Sequence, residues 1–256
     1  MHARYYTATM GSFLSVDPIL VKGAVHAPQL WNRYSYVGNN PLTRVDPDGR
    51  VLQLSGCASD ANSQACKDQY NLYLSTFGKQ SQEAAKYLQI GKNGVVGFKG
   101  ISGAAFAKEF GLMGRATNML VSVRSATFTM TLGKNDLTDS HHGGYADVYH
   151  TGGGSFGIDP GKFPQSFFGL KADSTEGLVH EIGHAVSSLI PGTAEAAQYD
   201  ATNSILLKGN KNFEGYATAF ENAWRRTVLG ETSIRTGYFY DGDVGYIPPS
   251  ELFPPP

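Results

Sequence analysis

The sequence predicts an α+β fold, with several helices set around a small β-sheet. Three observations predict it. Leu178, Val179, Ile182, Val186 and Leu189 recur at helical spacing. The stretch Leu120-Val121-Ser122-Val123-Arg124-Ser125-Ala126-Thr127-Phe128-Thr129-Met130 alternates and is rich in β-formers, as a strand requires. Glycine is in excess, at 31 of 256 residues, against a usual share of about 7%. It clusters at Gly143-Gly144, Gly152-Gly153-Gly154, Gly157 and Gly161, where short strands need tight connections.

The elements follow in order. Residues 65–90 read as helical, with a break at Phe77-Gly78, and residues 101–111 give a second helix ending at Gly111. The 120–130 strand comes next. Tyr145–Tyr149 and Ser155–Asp159 form a hairpin around the triple glycine. Asp173-Ser174-Thr175-Glu176 has the form of a capping box, so a helix starts there, and Pro191-Gly192 stops it. Residues 194–208 are helical. A last helix, capped by Asn212, runs through Phe220 and Trp224 to Gly230, and the tail from 231 is rich in turns.

Composition excludes several classes of function. Apolar residues are 41% and charged residues 17%, which suits a packed core and excludes a highly charged disordered chain. The net charge of −1 gives no electrostatic footprint for nucleic acid or an anionic membrane. No apolar run reaches 18 residues, so no membrane span is expected, and Met1-His2-Ala3-Arg4 does not open a signal peptide. Cys57 and Cys66 either close a small disulfide loop or stand as two free thiols. Their spacing is not that of a zinc ribbon.

Charge divides the chain near residue 50. The first 50 residues hold five basic and three acidic side chains, a net of +2. The remaining 206 hold sixteen and nineteen, a net of −3. The first segment is rich in Tyr, Asn and Asp-Pro turns and lacks the apolar content for its own core. Its Ala3-Arg4-Tyr5-Tyr6, Gly11–Pro18 and Asn32-Arg33-Tyr34-Ser35-Tyr36-Val37-Gly38-Asn39-Asn40-Pro41 resemble the end of the Rhs (YD-repeat) associated core. In that family a β-strand shell encloses a variable C-terminal toxin. The family's boundary motif is Pro, four residues, then Asp-Pro-x-Gly-Leu. Here Pro41 is followed by Asp46, Pro47 and Gly49, with Arg50 where the family has Leu. The resemblance implies self-cleavage after Arg50, with Asp46 among the aspartates that it needs. It divides the chain into a shell remnant, 1–50, and an effector domain, 51–256.

The effector carries its own chemical motif. His180-Glu181-Ile182-Gly183-His184 is H-E-x-x-H inside the capped helix. Residues i and i+4 share a helix face, so two imidazoles can hold one Zn²⁺ from the same side. Glu181 lies at the neighbouring edge, where it can take a proton from a metal-bound water whose pKa the metal lowers to about 7. A third protein ligand would leave one coordination position open. Glu214-Gly215-Tyr216-Ala217-Thr218-Ala219-Phe220-Glu221-Asn222-Ala223-Trp224-Arg225 resembles the Glu-x-x-Ala-x-x-x-Glu-Asn-x-x-Arg helix of zinc peptidase effectors. The resemblance implies Glu214 as the third ligand. Glu221 or Asn222, two turns on, can hold a histidine Nδ1–H from behind. Asp200 is the rival ligand. Oxyanion donors are open among Tyr216, Tyr238, Tyr240 and His150, and His141-His142 read as a solvated loop. The Gly152–Ile158 strand resembles the sheet edge on which zinc peptidases pair an extended substrate.

Together these readings predict a zincin-like zinc metallopeptidase domain behind an Rhs-core remnant. The implied function is a toxin that is secreted or delivered into a target cell and cleaves a protein there, in the cytoplasm. The implied partners are that protein substrate, a cognate immunity protein, the Rhs shell and the secretion machinery. Two alternatives stay open: a zinc amidase or peptidase acting on cell-wall peptide, and a non-catalytic binding module with a vestigial motif.

Overall fold

The structure is a computed structural model, and it describes residues 6–7, 12–13, 50–122, 126–140, 143–148, 153–167, 170–190, 214–235 and 248–253. The chain forms two units, Met1–Gly49 and Arg50–Pro256. In the first, Tyr6–Thr7 (β1) pairs antiparallel with Ser12–Phe13 (β2). Pro41, Asp46, Pro47 and Gly49 lie outside the described residues, as does the 194–208 segment.

The second unit is α+β, and its sheet begins with a strand absent from the sequence expectation. Arg50–Leu54 (β3) buries Leu52 and Leu54 completely, with Gln53 between them only half-buried. That alternation is a strand signal, but five residues are too few to stand out. Gln64–Ser75 (α1) is capped by Ser63, whose side chain accepts from the Cys66 N–H. After a 3₁₀ turn at Gly78–Gln80 comes Ser81–Tyr87 (α2). The expected helix does not reach residue 90: Leu88–Ile90 (β4) pairs antiparallel with Val96–Phe98 (β5). Gly103–Glu109 (α3) follows, and a further helix, Gly111–Ser122 (α4), occupies the start of the expected 120–130 strand. Leu112, Met113, Ala116, Thr117, Leu120 and Val121 are all buried, a helical spacing that outweighs the β-propensity of Val121. The strand itself is Ala126–Leu132 (β6).

Asp136–Ser140 (α5), Gly144–Val148 (β7) and Gly154–Ile158 (β8) complete the sheet, in the order β3-β6-β8-β7. β3, β6 and β8 are parallel, and β7 is antiparallel to β8. This corrects the expected edge. Gly154–Ile158 is an inner strand, paired on both sides, and the edge belongs to β7. Gln165–Phe167 (β9) and Leu170–Ala172 (β10) form a small hairpin before Ser174–Ser187 (α6). α6 lies against β7 and β8, and α4 lies against β3 and touches α6. The final helices are Glu214–Trp224 (α7), prolonged by a π turn at Arg225–Leu229, and Pro249–Leu252 (α8).

One core runs through this unit, joining Leu52, Phe128, Met130 and Phe156 of the sheet to Val179, Ile182 and Phe220 of the helices. Cys57 and Cys66 are joined by a disulfide, with 4.3 Å between their Cα atoms. Both cysteines belong to the core. Among the described residues no helix is long and apolar enough to cross a membrane.

Candidate active site

α6 is buried on nearly every face from Leu178 to Ser187, with His180, Glu181 and His184 buried among its apolar residues. Asp173 caps it by accepting from the Glu176 N–H at 2.9 Å, a contact worth about 1 kcal/mol. Only this half of the expected capping box closes. The Glu176 side chain turns inward and meets the guanidinium of Arg225. At Gly183 a side-chain carbon would stand 2.8 Å from Ala217 Cα and 3.2 Å from Phe220 Cβ. Glycine therefore lets α6 and α7 touch along their backbones.

The two helices run antiparallel. Glu176 meets Arg225, His180 meets Glu221, and Gly183 meets Ala217. The imidazoles of His180 and His184 stand 5.0 Å apart, centre to centre, at 79°. His180 Nδ1 lies 3.0 Å from Glu221 Oε2. Burial alone would push the Glu221 carboxyl up, but the His180 hydrogen bond and the Arg235 charge outweigh it and hold this group well below the carboxylate range. As a carboxylate Glu221 can only accept, so His180 donates from Nδ1, and in its neutral form the ring would have its lone pair on Nε2.

Glu181 points to the sheet edge. A side-chain carbon built on Gly144, the first residue of β7, would collide with the Glu181 carboxylate, and its distance to Cδ would be 3.3 Å. The edge strand and the carboxylate are thus in contact, and a side chain at residue 144 would have to displace the carboxylate end.

Behind Glu221 lies a buried charge cluster that the sequence did not announce. Arg235 Nη1 donates to Glu221 Oε2 at 2.7 Å, and Arg225 Nε stands 3.8 Å from the other oxygen. Arg225 also pairs with Glu231 at 2.7 Å. Burial and the adjacent Glu221 charge raise the Glu176 carboxyl, and Arg225 offsets this only in part. Arg225 was visible as the last residue of the resembling helix motif. Glu176 was hidden as a cap, and Arg235 carried no signal.

The remaining predicted residues divide as follows. Asn222 does not hold a histidine: its amide grips the backbone of Arg235, donating to the carbonyl and accepting from the N–H, both at 2.7 Å. The buried hydroxyl of Tyr216, a candidate oxyanion donor, donates to the Leu252 carbonyl at 2.7 Å. Glu214 opens α7, one turn before the Ala217 that touches Gly183, and its side chain lies outside the described residues, as do Asp200, His150, Tyr238, Tyr240, His141 and His142.

Two imidazoles one helical turn apart, one with its tautomer fixed by a buried carboxylate, are a donor set that suits a borderline-soft divalent metal such as zinc. Among the described residues no group of three ligand side chains is brought together. No protein-family model, curated protein or solved structure matches the chain.

Proposed function

We propose that Arg50–Pro256 is a zincin-like, zinc-dependent peptidase domain, and that it is the toxin of an Rhs-type protein, delivered into a target cell to cleave a protein there. The observation that carries the proposal is the Glu221 contact to His180 Nδ1. A buried carboxylate behind Nδ1 orients the ring, an arrangement common to metal-binding imidazoles, and it supports the reading of His180 and His184 as ligands. His180 and His184 would hold the metal, with Glu214 as third ligand from the first turn of α7. A bound zinc would supply Lewis-acid polarisation and a water acidified to near neutrality.

The chain's own residues do the rest. Glu181 takes a proton from the attacking water and returns it to the leaving amine. Its contact with β7, the outermost of the described strands of the sheet, supports a proton transfer beside a strand on which an extended peptide could pair by main-chain hydrogen bonds. The test is Glu181→Gln in the full chain, assayed on a peptide library and for toxicity on expression. The variant should keep its metal and lose at least about 100-fold in cleavage. Undiminished cleavage or toxicity would refute the proposal.

A second reading keeps the chemistry and changes the compartment. The Cys57–Cys66 disulfide suits an oxidising compartment, and so a target such as cell-wall peptide. Expression with and without a periplasmic export signal separates the two. Toxicity only on export favours the wall.

A further inference from the structure

Glu221 is described above as the partner of His180, but nothing yet explains why its carboxylate stays where it is. It is only 2% exposed. A buried carboxylate with one hydrogen bond to a neutral imidazole is poorly compensated. Two arginines are within reach, and they are not equivalent. Arg225 approaches Oε1 at 3.8 Å and is also engaged with Glu176 and Glu231. Arg235 binds Oε2, the same oxygen that faces His180, at 2.7 Å.

Arg235 is not on the helix. It lies 14 residues after Glu221, beyond the π turn and Gly230, whose φ of 76° turns the chain back. Its return is secured by the residue next to Glu221. Asn222 holds the Arg235 N–H with Oδ1 and the Arg235 carbonyl with Nδ2. Two consecutive residues of α7 therefore grip one residue, Glu221 by its guanidinium and Asn222 by its backbone. Arg235 is 4% exposed and Asn222 fully buried, so water does not compete.

We propose that Arg235 is a positioning residue for the metal site: clamped by Asn222, it locks Glu221 Oε2 in the orientation that holds His180 Nδ1–H and aims Nε2 at the metal. This rests on the zinc reading of His180 and His184. It gives the buried Asn222 amide and the return of the chain after α7 a common purpose. A carboxylate that orients a ligating histidine usually contributes 10- to 100-fold in metal affinity, and the proposal assigns that contribution to the Arg235 contact as much as to Glu221 itself.

The experiment titrates Zn²⁺ alone into the metal-free full-length chain by calorimetry, and follows the His180 Nδ1–H resonance by NMR. Wild type, His180→Ala, Arg235→Met and Glu231→Gln are compared. Arg235→Met should weaken zinc binding about 10- to 100-fold and shift or broaden the His180 signal, while Glu231→Gln, at a partly exposed partner of Arg225, should bind as wild type. Wild-type affinity and an unmoved His180 signal in Arg235→Met would overturn the proposal while leaving the zinc site standing. If wild type binds no zinc, or His180→Ala binds it equally, the zinc reading fails instead and takes this inference with it. Should Arg235→Met not fold, Asn222→Ala, which frees the Arg235 backbone and leaves its charge, is read in the same way.

Discussion

At the scale of single residues, the site depends on what is absent as much as on what is present. Gly144 has no side chain because the Glu181 carboxylate occupies that space. Gly144→Ala should displace a flexible carboxylate end without disturbing the core. Peptide cleavage should then fall by about 100-fold, the usual worth of a general base, with zinc content and melting temperature close to wild type. Paired metal analysis and kinetics check this. An equal loss of metal would show that the contact is structural. The sequence made His180, Glu181 and His184 legible as a motif because helical periodicity fixes which residues share a face. It left Glu221 and Asn222 as alternatives, since adjacent helix positions differ by about 100° and only packing decides which one faces α6. Tyr216 was one of four oxyanion candidates left open. Its hydroxyl belongs to Leu252, 36 residues away, and no local pattern carries that.

At the scale of elements, α6 was readable from cap to stop, whereas the last turn of α4 was taken for the start of a strand and β3 was missed. Long amphipathic stretches announce themselves. A five-residue buried strand does not, and neither does a helix whose final turn, with Val121, runs on into a β-rich stretch. The α6–α7 contact rests on Gly183, and Gly183→Ala should cost about 1–3 kcal/mol by forcing the helices apart. Thermal melts of the metal-free protein measure it, and an unchanged melting temperature would show that the helices can separate freely. The same pair of helices carries a pH signature. Glu176 is held above its ordinary value of 4.5, so the folded chain keeps a proton that the unfolded chain releases. Its effect on stability is therefore full below 4.5 and declines as pH rises from there through the raised folded value. Denaturant unfolding of the metal-free protein at about pH 5 and about pH 8 should show wild type losing roughly 1 kcal/mol or more relative to Glu176→Gln. Parallel pH profiles would contradict it.

At the scale of the whole molecule, the chain divides into its two units after Gly49, and the second begins its sheet at once with β3. The α+β class and the charge step near residue 50 were legible from composition and periodicity. The sheet order was not, because the parallel β3-β6-β8 pairings join strands up to 76 residues apart through pairings that no window of sequence contains. The disulfide fastens the 3₁₀ turn Ser55–Cys57, just after β3, to α1, with nine residues of sequence separation. Reduction, or Cys57→Ser with Cys66→Ser, should lower stability by about 2.5 kcal/mol on the loop-entropy estimate, read from urea unfolding with and without reductant. No change would mean that the core alone holds this corner. The most direct measurement for the whole account is the zinc content of the purified chain beside His184→Ala, after zinc supply and dialysis. The account predicts one zinc per wild-type chain and none retained by His184→Ala. Metal-free wild type, or equal zinc in both, would contradict it.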